Sequence, residues 1–206
     1  MNAPLRITAE IRPAPPVWRR LFHIGAGSIL PVAGIFVPWM AIVIGSGLVT
    51  LTSLTLDLAR FRTPYLNRLF LRWLAPFLKS NEAFKITGAT YLLVATLLCF
   101  LVFDRTIAVT ALLFLALGDP VAGLVGGRMP GPRVSGKSPG GAAAFVLVSL
   151  AVVAVLIASG VVQYHWALVA GAVIAALVEL APIPVDDNLT IPLVSGAIMQ
   201  FLVVSV

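Results

Sequence analysis

The chain is organised around residues 117–141, LGDPVAGLVGGRMPGPRVSGKSPGG. An apolar helix is predicted to reach Asp119, pass through small residues and open into a loop rich in glycine and proline. That loop carries three cations, Arg128, Arg133 and Lys137. A carboxylate, glycine backbone amides and cations in this order are suited to holding phosphate groups. Because the flanking sequence is strongly apolar, the stretch predicts a phosphate site against a membrane.

The composition of the 206-residue chain is that of a membrane protein. Hydrophobic residues make up 60% of it and charged residues only 11%. A soluble domain of this length cannot bury so large an apolar fraction, so the bilayer is the expected solvent for most of it. The apolar residues form continuous runs, which predicts an all-α, polytopic membrane fold. The net charge is +6, but the basic residues flank the apolar runs, a pattern typical of membrane topology rather than of nucleic-acid binding.

Seven apolar segments have about the length needed to cross a hydrocarbon core. Residues 1–16, polar and rich in proline, are predicted to be a flexible N-terminal tail, and residues 17–206 a single membrane-embedded domain. Residues 66–77 differ, because their apolar side chains recur with helical spacing beside arginines. They predict an amphipathic helix lying in the cytoplasmic interface. The seven predicted spans cover about residues 21–38, 39–59, 86–103, 106–127, 142–160, 165–181 and 189–206.

The basic residues determine the predicted orientation. With seven spans and a cytoplasmic N-terminus, 13 of the 14 lysines and arginines lie inside, and only Arg105 lies outside. This distribution follows the positive-inside rule. Most acidic residues fall on the same side, which the rule does not require. We therefore expect an integral protein of the cytoplasmic (inner) membrane with its site facing the cytoplasm.

Three basic side chains stand at the start of the first predicted span. Arg19, Arg20 and His23 are spaced so that Arg19 and His23 share one face of a helix. They are suited to holding phosphate oxygens at the membrane surface. An ordinary positive-inside anchor explains the two arginines on pattern alone.

Two further acidic residues have interpretations in local structure. Asp57 is followed three residues later by Arg60, which favours a local ion pair over a metal or phosphate site. Glu82 is interpreted as a solvated acid at a helix start.

Asp119 is harder to explain by local structure. It lies about two turns inside the fourth predicted span, where an ionised carboxylate costs several kcal/mol unless it is paired, metal-bound or hydrated. Gly118, Ala122 and Gly126 recur at four-residue spacing and predict a smooth face for close helix packing.

The loop itself matches a known pattern. Residues 131–138, GPRVSGKS, fit the P-loop pattern letter by letter. That pattern is informative only between a strand and a helix, and here membrane spans flank it, so a P-loop fold is rejected. What remains is a loop with exposed amides and Lys137, suited to oligophosphate.

Oxygen ligands cluster near the start of the last predicted span. Glu179, Asp186, Asp187 and Asn188 surround a short turn stiffened by proline. Mg²⁺ takes such ligands together with substrate phosphates. The alternative is a polar turn in which Asp187 or Asn188 caps the last helix.

Four motifs occur in order along the chain: Arg19-Arg20-x-x-His23, Gly118-Asp119-Pro120-x-Ala122, Gly136-Lys137-Ser138 and Glu179…Asp187-Asn188-Leu189-Thr190-Ile191-Pro192. Together they resemble the dolichol kinase/phytol kinase family of polytopic membrane enzymes, and most of all its short prokaryotic members. The resemblance spans about residues 17–193. One difference is that Pro139-Gly140 follows Lys137-Ser138, where the family usually carries a glutamate.

The resemblance implies an integral membrane lipid kinase. Such an enzyme transfers a phosphoryl group from CTP, or another nucleoside triphosphate, to polyprenol or dolichol, phytol or diacylglycerol. Asp119 and Lys137 are the expected catalytic residues, and Mg²⁺ is the expected cofactor. The expected phosphate-binding residues are Arg19, Arg20, His23, Gly126, Gly127, Arg128, Arg133, Gly136 and Ser138. The expected metal ligands are Asp119, Glu179, Asp187 and Asn188.

Three alternatives stay open. The nearest is nucleotidyl transfer, in which CTP gives CMP to a phospholipid, as in the more distantly similar phosphatidate cytidylyltransferases. A small transporter is a different class, although transporters concentrate polar residues near the bilayer midplane. The missing glutamate also leaves room for an inactive membrane subunit.

Overall fold

The computed structural model describes residues 16–74, 78, 82–130, 133–134 and 136–204. The predicted flexible tail lies outside the described residues except for Pro16, which begins the first helix. The tail therefore stays a prediction.

The described residues form helices joined by short turns, which confirms the predicted all-α class. No β-strand forms among them, and their one β-type contact is an isolated bridge between Val134 and Lys137. Prolines mark several helix boundaries because they lack the N–H that an interior position needs. The helices are α1 Pro16–Phe36, α2 Trp39–Arg62, α3 Pro64–Leu74, α4 Gly88–Val102, α5 Arg105–Leu113, α6 Asp119–Arg128, α7 Pro139–Ala158, α8 Trp166–Leu180 and α9 Asp187–Val204.

Four helical stretches are long and apolar enough to cross a membrane: Trp39–Arg62, Arg105–Arg128, Pro139–Ala158 and Asp187–Val204. The prediction of seven spans is therefore not supported by length and composition. Helices α4 and α8 have 15 residues each, which rise only about 22 Å against a hydrocarbon core of about 30 Å. Helix α1 has 21 residues, but its first two turns contain Arg19, Arg20 and His23.

The stretch Arg105–Arg128 forms the centre of the bundle. Phe114 and Leu115 are fully buried there. A π-helical turn, Phe114–Gly118, joins α5 to α6. Pro120 gives a physical reason for the wide turn, because it has no N–H for the carbonyl four residues earlier and its ring clashes there. The turn ends directly before Asp119.

Small residues let α6 and α7 approach closely, as the four-residue spacing predicts. A Cβ at Gly118 would lie 2.8 Å from the ring of Phe145, and one at Gly126 would lie 3.3 Å from the Cα of Gly141. Ala122 is buried between them. This packing returns the chain sharply after the loop, so both ends of the loop lie at one end of the bundle.

Hydrogen bonds and ion pairs between distant segments concentrate at that same end. They join α1 to α6, α2 to the segment before α4, the loop before α7 to α8 and α9, and α9 to α4. At the opposite end, Arg105 donates to the carbonyls of Gly34 and Val37, and Gln200 pairs with Asp104. We call the first end the polar end of the bundle.

Helix α3 follows α2 at the polar end and is amphipathic, as predicted for residues 66–77, although residues 75–77 lie outside the described part. None of its residues is buried. Tyr65, Leu69 and Trp73 expose 65%, 43% and 70% of their surface. An exposed helix face with this much apolar surface is suited to the interface of a bilayer.

Candidate functional site

A cavity of about 570 Å³ lies between α1, α2, α3 and α4. Leucine and valine side chains of α2 and α4 form most of its wall, including Leu48, Val49, Leu92 and Leu93. Its inner end is polar and carries both charge signs. The polar residues there are Arg19, His23, Asp57, Glu82, Thr87 and Asn188.

A buried ion pair, of which Asp57 lines the cavity, lies at the floor of the cavity. Arg60 Nε donates to Asp57 Oδ1 over 2.7 Å, and the two side chains are only 1% and 3% exposed. This confirms the predicted local pair. The other carboxylate oxygen of Asp57 accepts from the backbone N–H of Thr87 and from the hydroxyl of Thr90. The pair therefore fixes the end of α2 against the start of α4.

The guanidinium of Arg60 also binds the segment before α4. It donates to the backbone carbonyls of Glu82, Ala83 and Lys85. The rings of Phe61 and Phe70 lie 4.5 and 4.3 Å from its central carbon. One cation thus connects α2, α3 and the turn Glu82–Phe84, and it sets the position of the Glu82 side chain.

Glu82 and Asn188 meet at Gly88, the first residue of α4. Glu82 Oε1 accepts from the N–H of Gly88 at 3.1 Å, and Asn188 Nδ2 donates to its carbonyl at 3.1 Å. A Cβ at this position would lie 2.8 Å from Asn188 Nδ2. Glu82 is 7% exposed, so the prediction of a solvated acid is wrong, although it does lie at a helix start. The buried carboxylate and amide close the polar end of the cavity.

Arginines surround the C-terminal end of α6. Arg20 Nη2 donates to the carbonyl of Gly123 at 2.8 Å, and Arg133 Nη2 donates to that of Gly126 at 3.1 Å. Arg128 bonds within the same helix and is exposed. Cations are stabilised there by the negative end of the helix dipole. Arg20 and Arg133 thus bind carbonyls one helical turn apart, and each guanidinium keeps further N–H donors.

Lys137 joins the loop to α8 and α9. Its Nζ lies 2.8 Å from Asp187 Oδ2 and 3.9 Å from Glu179 Oε1, and it donates to the backbone carbonyl of Glu179. Asp119 is close enough for its charge to act on both carboxylates. Glu179 is 5% exposed, and its Oε2 has no hydrogen-bond partner among the described residues. Three acids thus share the neighbourhood of one lysine.

The four predicted metal ligands do not form one ligand set. Among the described residues no group of three or more His, Cys, Asp or Glu side chains is arranged to hold a metal ion. The ammonium of Lys137 lies between Glu179 and Asp187, and the amide of Asn188 binds Gly88 instead. The carboxylates of Asp119, Glu179 and Asp187 have the right donor chemistry for Mg²⁺, but this arrangement does not fit the ion.

The loop has a local structure of its own. Val134 and Lys137 exchange two backbone hydrogen bonds of 2.8 and 2.9 Å. Gly136 has φ of 87°, a conformation that favours glycine. Ser138 begins α7, where its buried hydroxyl accepts from the N–H of Gly141. Ser138 therefore caps a helix, which the prediction of phosphate binding did not include.

The remaining parts of the predicted loop site are less defined. Gly127 is exposed, and a Cβ there would meet nothing within 4 Å. Gly131, Pro132 and Ser135 lie outside the described residues. Of the predicted loop cations, Arg133 binds α6 and Lys137 binds α8 and α9. Arg128 donates to Leu124 of its own helix.

Two pairs of neighbours connect the cavity to the loop. Arg19 lines the cavity while Arg20 reaches α6. Asn188 lines the cavity while Asp187 binds Lys137. Successive residues of a helix point about 100° apart. In each pair, one residue can therefore face the cavity while its neighbour faces the loop side. Sequence reasoning missed Glu82 as a cavity residue, because a glutamate before a helix is usually solvated.

Comparisons with known proteins add one relative of unknown role. No family model matches the chain, and no solved structure matches it. An uncharacterized protein of Rickettsia prowazekii is similar, with 26% identity over 181 residues. The alignment covers 85% of this chain and 88% of the Rickettsia protein. Because this relative brings no activity with it, the function must be argued from the geometry.

Proposed function

We propose that the chain is an integral membrane lipid kinase of the dolichol kinase/phytol kinase type. It would transfer a phosphoryl group from CTP, or another nucleoside triphosphate, to the hydroxyl of a lipid alcohol. The observation that carries the proposal is the contact between two unlike sites at the polar end. An apolar cavity with a polar floor adjoins a loop of cations, and residues 187–188 belong to both.

Phosphoryl transfer needs positioning and charge neutralisation more than covalent chemistry. The hydroxyl oxygen of the lipid attacks the terminal phosphorus of the donor, and the bond to the leaving nucleoside diphosphate breaks. The hydroxyl proton passes to a carboxylate, the role we assign to Asp119. Lys137, Arg20, Arg128 and Arg133 neutralise the phosphates of the donor.

The first turns of α1 serve the acceptor side. Arg19 and His23 line the cavity at its polar end, where they would steady the phosphate after transfer. Lys137 now faces Glu179 and Asp187. A triphosphate would compete with these carboxylates for the ammonium.

We further propose that the polar end faces the cytoplasm. The arginines and lysines of the loop, of α3 and of the α2 end all lie there, as the positive-inside rule favours. In this topology α1, α4 and α8 also cross the bilayer, with local thinning around the two 15-residue helices. Accessibility labelling of single cysteines at exposed Gly127 and Tyr164, from each side of sealed vesicles, tests this topology.

Label transfer tests the activity. Purified protein in nanodiscs is supplied with CTP or ATP labelled at the α- or the γ-phosphate, and with a panel of lipid alcohols or with phosphatidate. Transfer of the γ-label to lipid is the expected result, whereas transfer of the α-label identifies nucleotidyl transfer. Asp119→Asn and Lys137→Ala should each reduce transfer at least about 100-fold, while Arg72→Ala, on the exposed side of α3, should not. Wild-type turnover in either site variant, or no transfer from any donor, contradicts the proposal.

A further inference from the structure

The cavity between α1 and α4 has the dimensions of one lipid chain. Its volume is about 570 Å³. At roughly 30 Å³ for each non-hydrogen atom of a condensed liquid, as for water, it holds on the order of 20 such atoms. A hydroxyl with one chain of moderate length fills that space. A lipid with two long acyl chains has about twice as many atoms, so one of its chains would have to lie outside the cavity.

Among the described residues, the two hydroxyls in the wall of the cavity, those of Thr52 and Ser53, already donate to other groups. The hydroxyl of Thr52 donates to the carbonyl of Leu48 at 2.8 Å. Ser53 and Thr90 are joined at 2.6 Å, and Thr90 itself donates to Asp57, so Ser53 is the donor to Thr90. Because both wall hydroxyls are engaged, the ester carbonyls of an acylglycerol would find no partner beside them.

The outer rim of the cavity is exposed and apolar. Phe22, Leu48 and Leu56 line the cavity and are 47%, 61% and 58% exposed. They belong to α1 and α2, and α2 is long and apolar enough to span the membrane. A chain longer than the cavity can therefore leave sideways into the bilayer.

The inner end suits a small neutral head group. The charge of Asp57 is balanced by Arg60, and Glu82 and Arg19 bring one charge of each sign. Asn188 adds an amide. A hydroxyl both donates and accepts, so it can use a carboxylate and a cation together. A carboxylate or phosphate head group would instead face the buried Glu82.

From these contacts we infer that the cavity binds a lipid alcohol with a single hydrocarbon chain, and that it discriminates against diacylglycerol. The hydroxyl lies at the Glu82–Asn188 end, and the chain runs along α2 and α4 toward the rim. Phosphorylation of the bound hydroxyl rests on the proposed function, whereas binding of the alcohol does not, since binding needs no nucleotide.

Two adjacent positions of α1 provide a matched test. Ala26 lines the cavity, whereas a Cβ at Gly25 meets nothing within 4 Å. Ala26→Phe fills the cavity, and Gly25→Phe adds the same ring on the outside. Val49→Trp at the rim is a second blocking variant, because Val49 is 47% exposed and tolerates bulk without core strain.

The experiment measures binding of radiolabelled geranylgeraniol to protein in nanodiscs without nucleotide. We expect saturable binding, displacement by hexadecanol, and at least tenfold weaker displacement by dioleoylglycerol. Ala26→Phe and Val49→Trp should each lower affinity at least tenfold, with Gly25→Phe equal to wild type. Equal competition by dioleoylglycerol, or unchanged binding in both blocking variants, overturns the inference. If binding follows this pattern but no phosphate is transferred, the kinase proposal fails and the cavity assignment stands.

Discussion

Replacing Arg60 by methionine tests whether the buried ion pair supports the floor of the cavity. The change keeps an unbranched apolar stem but removes the cation that Asp57 faces. Breaking a buried pair by removing one partner costs about 3–5 kcal/mol, because a charge is left uncompensated. Both side chains are at most 3% exposed, so water cannot replace the lost partner without a rearrangement.

The expected change in melting temperature follows from chain length. For a chain of this size, 1 kcal/mol shifts the midpoint by roughly 2–4 °C, so Arg60→Met should lower it by about 6–20 °C. Arg62→Met is the matched control, since Arg62 is exposed on the same helix, and surface changes stay within about 0.5 kcal/mol. Thermal unfolding in mild detergent, followed by circular dichroism, gives both midpoints.

A double-mutant cycle separates the pair from its surroundings. Asp57→Asn removes the other charge, and adding it to Arg60→Met should cost less than the sum of the two single changes. Geranylgeraniol binding should weaken in Arg60→Met, since Arg60 holds the backbone of residues 82–85. Equal midpoints for Arg60→Met and Arg62→Met, or strictly additive costs, would refute the role of the pair.

Three further predictions concern packing, capping and the loop lysine. Gly118→Ala should destabilise the protein by about 1–3 kcal/mol, because its Cβ would lie 2.8 Å from the Phe145 ring. The control Gly45→Ala should not destabilise it, because a Cβ there meets nothing within 4 Å. The melting midpoints of the two variants are compared. Ser138→Ala removes the cap of α7 and should cost about 1 kcal/mol, seen as a small fall in midpoint that Ser138→Asp largely restores. Lys137→Ala should reduce label transfer at least about 100-fold, and a loss no larger than that of Arg72→Ala would contradict its assignment.

The all-helical fold could be predicted because the apolar residues form continuous runs along the sequence. The predicted segment 86–103 corresponds to α4, Gly88–Val102, and 165–181 to α8, Trp166–Leu180. Whether such a run spans the membrane depends on how many of its residues are helical, and apolar composition alone does not determine that number. The apolar segments 86–103 and 165–181 therefore predict two spans, although only 15 residues of each are helical.

The site was predictable where partners are close in sequence and not where the fold brings them together. Asp57 and Arg60 are one helical turn apart, so their pair follows from spacing alone. Lys137 and Asp187 are separated by 50 residues, and only the packing of α8 against both α7 and α9 makes them neighbours. The polar residues of each motif can be identified from the sequence, but the residues that they contact cannot.

The first turn of α9 explains why these separate motifs can act as one site. Asp187 holds the loop through Lys137, and Asn188 holds α4 through Gly88. In the proposed kinase, a donor phosphate that draws Lys137 away would leave Asp187 without its counter-ion. Asp187 is next to Asn188, which lines the cavity. Donor binding and the shape of the acceptor end would thereby be coupled through a single helical turn. Linkage requires such coupling to be reciprocal, so a lipid in the cavity should alter nucleotide affinity by the same factor as the nucleotide alters lipid affinity.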